Sequence, residues 1–157
     1  MSPLIIVYAL IVLALMLILP IASSLLEVFL GNNGVFTLSV FLKWFVFWPV
    51  GVRLLLAGLR QIFQPRYTAE TILGIKSPEA QIVVRELGFA NVAVGSIGAL
   101  SLAASDWIVP AGLAGAIFYA LAGIHHALHK PRNRNQNIAM VSDLSIALVL
   151  GVLLLPI

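Results

Sequence analysis

The chain has 157 residues, of which 61% are hydrophobic and 10% charged, with a formal net charge of +3 and no cysteine. A soluble domain carries about 25% charged residues, so a water-soluble globule is excluded. The missing cysteines remove disulfides, thiolate catalysis, iron–sulfur clusters and cysteine zinc sites, and the small scattered charge excludes nucleic acid as a partner. The apolar residues lie in long runs rather than in narrow helical stripes, which predicts an all-α polytopic membrane bundle filling residues 1–157 as one unit.

The first span is expected at residues 4–29, with Pro20 bending it and Glu27 near its far end. No Lys or Arg precedes Lys43 and the apolar run is long for a signal peptide, so the run is read as a retained span. Gly31-Asn32-Asn33-Gly34 is a turn signal. The second span is expected at 36–63, bent at Pro49; Lys43 snorkels or pairs with Glu27, and Arg53 and Arg60 share one face. A connector at 64–77 is read as an interfacial helix lying on the membrane surface, capped by Thr68 and ended by Gly74, with Arg66 and Lys76 near headgroups.

Ser77-Pro78-Glu79 is a helix start, with a cap, a proline and an acid in their favoured places. The third span then covers 78–104, and Gly88, Asn91, Gly95 and Ala99 make a small-residue seam. The fourth, at 110–129, carries a second seam of Gly112, Ala116 and Ala120, which predicts that these two spans pack on each other. It ends in His125, His126 and His129. Asn137 is the expected cap of the fifth span, at 137–157, which carries Asp143. All the loop cations (Arg66, Lys76, Lys130, Arg132 and Arg134) then fall on one side with the N-terminus. The positive-inside rule makes that side cytoplasmic and places the C-terminus outside a prokaryotic inner membrane.

With this topology Arg53, Arg60, Glu86, His125 and Asp143 lie about 5–15 Å from the cytoplasmic helix ends, on four helices. Asn91 joins them from the third span. One reading is a buried ion-pair lock, with Glu86 the first partner of Arg53 and Asp143 the second. The other is a cytoplasm-facing pocket for a lipid- or quinone-like headgroup. His125 and His129, at i and i+4, with Glu86 or Asp143, outline a metal-dependent enzyme as an alternative. A haem held by His125 or His126 stays open as an alternative, but bis-histidine ligation within one chain is excluded, since no second helix carries a histidine. No nucleophile–base pair and no catalytic residue is readable. A small transporter is the remaining class. The cofactor is not legible; the partners expected are the bilayer and a larger membrane complex or a homo-oligomer.

The run Trp48-Pro49-Val50-Gly51-Val52-Arg53-Leu54-Leu55-Leu56-Ala57-Gly58-Leu59-Arg60-Gln61, Pro65, Arg85-Glu86-Leu87-Gly88-Phe89-Ala90-Asn91 and Ala139-Met140-Val141-Ser142-Asp143-Leu144 resemble a family of small prokaryotic inner-membrane proteins of unknown role. More distantly, the stretch with Arg53, Ala57-Gly58-Leu59 and Pro65 looks like the first helix of DoxX-like four-helix membrane proteins. That resemblance implies a four-helix core with an added first span, and an accessory role near redox and quinone-linked complexes.

Overall fold

The computed structural model describes residues 3–31 and 35–156; of the turn signal at 31–34, Asn32, Asn33 and Gly34 lie outside the described residues. Every regular element described is helical. Five helices are long and apolar enough to cross a membrane: Ile5–Leu30, Leu38–Phe63, Pro78–Leu100, Ser105–Leu128 and Arg134–Leu154. The shortest has 21 residues, which at 1.5 Å per residue gives about 31 Å, enough to cross the hydrocarbon. They are called the first to fifth spans here, and the short connector helix is Tyr67–Leu73.

Wide-turn helix lies at both prolines expected to bend their helices. Ala14–Ile18 ends just before Pro20, and Val46–Arg53 contains Pro49. A proline has no N–H to give the carbonyl four residues back, and a wider turn re-routes the hydrogen bonds around that gap. Ser24 Oγ donates to the Pro20 carbonyl at 2.7 Å. Where the first span ends and the second begins, Lys43 pairs with Glu27, while Trp44 Nε1 donates to Glu27 Oε2 at 2.7 Å and Trp48 Nε1 to Ser23 Oγ at 2.9 Å. These bonds fix the first span to the second at that end.

The small-residue seams are used, but not on each other. The third span packs most extensively on the second, and the fourth on the fifth; the third and fourth meet only lightly. A Cβ added at Gly98 would stand 2.6 Å from the Gly51 nitrogen, and one at Gly95 2.6 Å from the Leu55 nitrogen. Gly58 and Gly88 lie equally close, a Cβ on Gly58 reaching the Gly88 oxygen at 2.7 Å. The second span carries its own glycines at Gly51 and Gly58, so glycine faces glycine and two backbones touch. On the fourth span, Gly112 and Gly115 take up Val46 and Val50 of the second, and Gly123 takes up Leu144 of the fifth. Larger side chains fill the centre, among them Leu42, Phe45, Leu54, Tyr119, Ile146 and Leu150.

The connector is docked on the start of the fifth span. Thr68 and Ala69 are buried, so Thr68 is an interior residue of the Tyr67–Leu73 helix and not its cap. The carbonyls of Thr71, Ile72 and Leu73 accept from Asn135 Nδ2 at 3.1 Å, Asn133 Nδ2 at 3.0 Å and Gln136 Nε2 at 3.1 Å. Three amides at the start of the fifth span therefore satisfy the open carbonyls of a helix end. Gly74 closes the helix as expected, at φ +75°, a left-handed conformation that glycine adopts without a Cβ penalty. Arg66 is exposed and pairs with Glu70 at 2.8 Å.

The starts of the third and fifth spans are built from their caps. Ser77 Oγ accepts from Ala80 N at 3.3 Å, as its position implies. The fifth span starts three residues earlier than expected because its cap is Asn133, not Asn137. Asn133 Oδ1 accepts from Gln136 N and Gln136 Oε1 from Asn133 N, both at 2.8 Å. This reciprocal pair satisfies two open donors, whereas Asn137 Oδ1 accepts from Arg132 Nε at 2.9 Å. Asn133 holds both the cap and the Ile72 carbonyl. Asn133→Ala is therefore expected to lower stability by about 1–2 kcal/mol, measured as a lower melting temperature in mild detergent; an unchanged transition would refute the double role.

Candidate functional site

Arg53 closes the wide-turn segment of the second span. Its NH2 group donates to Asp143 Oδ1 of the fifth span at 3.3 Å, and its NH1 group to Tyr119 Oη of the fourth at 3.2 Å. Tyr119 is fully buried, and its hydroxyl donates onward to the Pro49 carbonyl. The tyrosine thus accepts from an arginine and serves a carbonyl in the wide turn around the proline. Three spans meet at one guanidinium.

Asp143, the second choice, is the partner that Arg53 has; Glu86, the first choice, is not. Glu86 is exposed, as is its neighbour Arg85. The third span turns Gly88, Asn91 and Gly95 toward the second, and two residues of α-helix rotate a side chain by about 200°. Glu86, two residues before Gly88, therefore points away from Arg53.

Beside the ion pair lies a cavity of about 330 Å³, whose lining includes Arg53, Asp143, Arg60, Asn91, Tyr8 and Tyr67. Arg60 lays its guanidinium over the Tyr67 ring, 3.7 Å from the centroid, a contact that leaves its edge N–H groups free to meet another molecule. Asn91 Nδ2 donates to Gln61 Oε1 at 2.8 Å, and both residues are buried. Hydrocarbon completes the wall, with Ile11, Val12, Leu15 and Phe118. Four of the six residues singled out from sequence (Arg53, Arg60, Asn91 and Asp143) therefore share one cavity.

His125 and Glu86 do not. His125 is exposed and lies by a separate hollow of about 160 Å³ with His126, His129 and Gln136. The rings of His125 and His129 stack with centroids 6.1 Å apart. Neither Glu86 nor Asp143 joins them, and among the described residues no three His, Cys, Asp or Glu side chains are grouped to hold a metal. The expected metal shell thus stops at two imidazoles, because its acids face elsewhere. The hydroxyls of Ser142, Ser145 and Ser101 donate to carbonyls of their own helices, Ala139, Val141 and Gly98, at 2.9, 2.7 and 2.7 Å.

Tyr119, Tyr8 and Gln61 belong to the site and were not singled out from sequence, whereas His126, named from sequence together with His125, lines the cavity. Tyr119, Ala122 and His126 follow i, i+3, i+7 spacing, so one helix face carried the signal. Tyr8 is a lone hydroxyl in an otherwise apolar run, and only tertiary packing brings it to Arg53.

No curated protein and no solved structure matches the chain. Residues 5–156 match the model of a family of unknown function, DUF6790, and with nearly its whole length covered the chain belongs to that family.

Proposed function

We propose that this protein is a non-catalytic inner-membrane protein of a prokaryote that binds the polar head of a lipid- or quinone-like amphiphile beside Arg53. In this reading it serves as a small accessory or interaction subunit, in a larger membrane complex or a homo-oligomer, and residues 1–157 act as one bundle. The observation that carries the reading is the state of Arg53. Its side chain keeps 15% exposure although it is paired deep in the bundle. A guanidinium has five N–H groups, and Asp143 and Tyr119 engage one nitrogen each. A pure lock favours a sealed pair with its hydrogen bonds filled; an ionisable group facing a cavity inside a membrane span marks a ligand path by default. The DoxX-like pattern around Arg53 points the same way, through quinone-linked complexes.

Binding is favoured over passage by the far half of the bundle, where the Glu27, Lys43, Trp44 and Trp48 contacts tie the first two spans together. The test is native mass spectrometry of protein extracted in mild detergent. One amphiphile per chain is expected on the native protein, and none on an Arg53→Met/Asp143→Leu variant, which keeps the packing while removing both charges. Bare native protein would overturn the reading.

The same reading puts the N-terminus and the connector in the cytoplasm and the C-terminus outside. A C-terminal reporter that works only in the cytoplasm is expected to be silent, and strong activity would reverse the orientation.

A further inference from the structure

We infer that the cavity opens sideways into the hydrocarbon, between the first and second spans, and takes the monoanionic head of a membrane-resident amphiphile whose tail stays in the bilayer. This rests on the binding reading above and adds the route and the charge of the ligand.

The route follows from how the first span is held. Its Pro3–Leu13 half packs on the fifth span and makes little contact with Leu54–Phe63 of the second. The cavity occupies that gap, with Ile11 on one side and Leu56 on the other. These two are 47% and 52% exposed, and Leu87 of the third span, also in the lining, is 36% exposed. A mouth edged by exposed isoleucine and leucine suits an acyl chain and repels a hydrated ion. The connector lines the opposite side, with Thr68, Ile72 and Leu73. Thr68 is buried in the connector, whose last carbonyls are held by Asn133, Asn135 and Gln136, and Tyr67 lies under Arg60.

The charge follows from the lining. Two arginines, Arg53 and Arg60, face one carboxylate, Asp143, so one positive charge has no counterion there. A neutral head leaves that charge without a partner, and an anionic head answers it with charge-assisted hydrogen bonds. One carboxylate or one phosphodiester matches the deficit. At about 330 Å³ the cavity is at the small end of ligand sites, which span about 300–1,000 Å³. It holds a head, and the tail leaves through the mouth.

Purified full-length protein in nonionic detergent is titrated with oleate, with methyl oleate and with acetate, and bound molecules are counted by native mass spectrometry. One oleate per chain is expected, bound about 10–100-fold more tightly than its methyl ester, the factor for a hydrogen bond to a charged group. Acetate should not bind in the same range. Arg60→Gln, at an exposed position, should reduce oleate affinity about tenfold or more with unchanged helicity and melting. Leu56→Trp, which crowds the mouth, should slow oleate uptake. Equal binding of oleate and methyl oleate overturns the charge assignment and leaves the cavity reading standing. Acetate binding as tightly as oleate overturns the membrane source, and undiminished uptake by Leu56→Trp overturns the lateral route. Failure of both oleate and its ester would instead fall on the binding reading itself.

Discussion

Asp143→Ala is expected to destabilise the bundle by about 3–5 kcal/mol, the cost of stranding a buried partner. Arginine stays charged in a protein, and without Asp143 it falls back on neutral oxygens, the Tyr119 hydroxyl among them. Arg53→Met combined with Asp143→Leu should cost less than Asp143→Ala alone, because no charge is then left unmatched. Unfolding by sodium dodecyl sulfate against mild detergent, followed by circular dichroism, measures both. Glu86→Ala is the control: its side chain is exposed, and a change within about 0.5 kcal/mol is expected. If Asp143→Ala behaves like Glu86→Ala, the arginine is supported by something other than its carboxylate.

The contact between the second and third spans should be the other most sensitive place. At Gly98 the space for a Cβ is already taken by backbone, with the Gly51 nitrogen at 2.6 Å and the Gly51 Cα at 2.9 Å. A side chain can rotate aside, but two helix backbones can only separate. Gly98→Ala is expected to cost about 1–3 kcal/mol, in the range of core overpacking, and Gly98→Leu or Gly95→Leu should prevent assembly of the native bundle. Gly151, on the fifth span, has nothing within 4 Å of an added Cβ, so Gly151→Ala should be harmless. Yield of monodisperse protein and the detergent unfolding midpoint separate these outcomes. A Gly98→Leu protein as stable as Gly151→Ala would contradict the close approach of the backbones.

The same contact marks what sequence alone could and could not say. Long apolar runs between strong breakers made the five spans legible, and the small-residue stripe on the third span was legible too. Its mate was not, because a stripe specifies close approach without naming which helix approaches. Gly51 and Gly58 were the overlooked clue, seven residues apart on one face of the second span. Depth likewise ranked Glu86 and Asp143 as almost equal partners for Arg53. Rotation about the helix axis decided between them, and it becomes known only once the third span's glycine face is assigned to the second. The fifth-span cap was legible and misread: Asn133 and Gln136 form the Asn-x-x-Gln pattern of a reciprocal cap. Docking of the connector was hidden because it depends on three amides more than sixty residues away.

The Arg53–Asp143 pair also has a meaning in time, because its partners are 90 residues apart in the chain. At synthesis rates of about 5–20 residues per second, the arginine waits about 5–20 s before its aspartate is made. Tyr119 arrives earlier, so a neutral acceptor precedes the charged one. The fifth span brings Asp143 together with Asn133, Asn135 and Gln136, the residues that hold the connector. A nascent chain stalled before that point carries an unmatched cation and an untethered loop. Arrival of the fifth span thus supplies the counterion and the tether together, and an intermediate lacking it displays an unmatched charge.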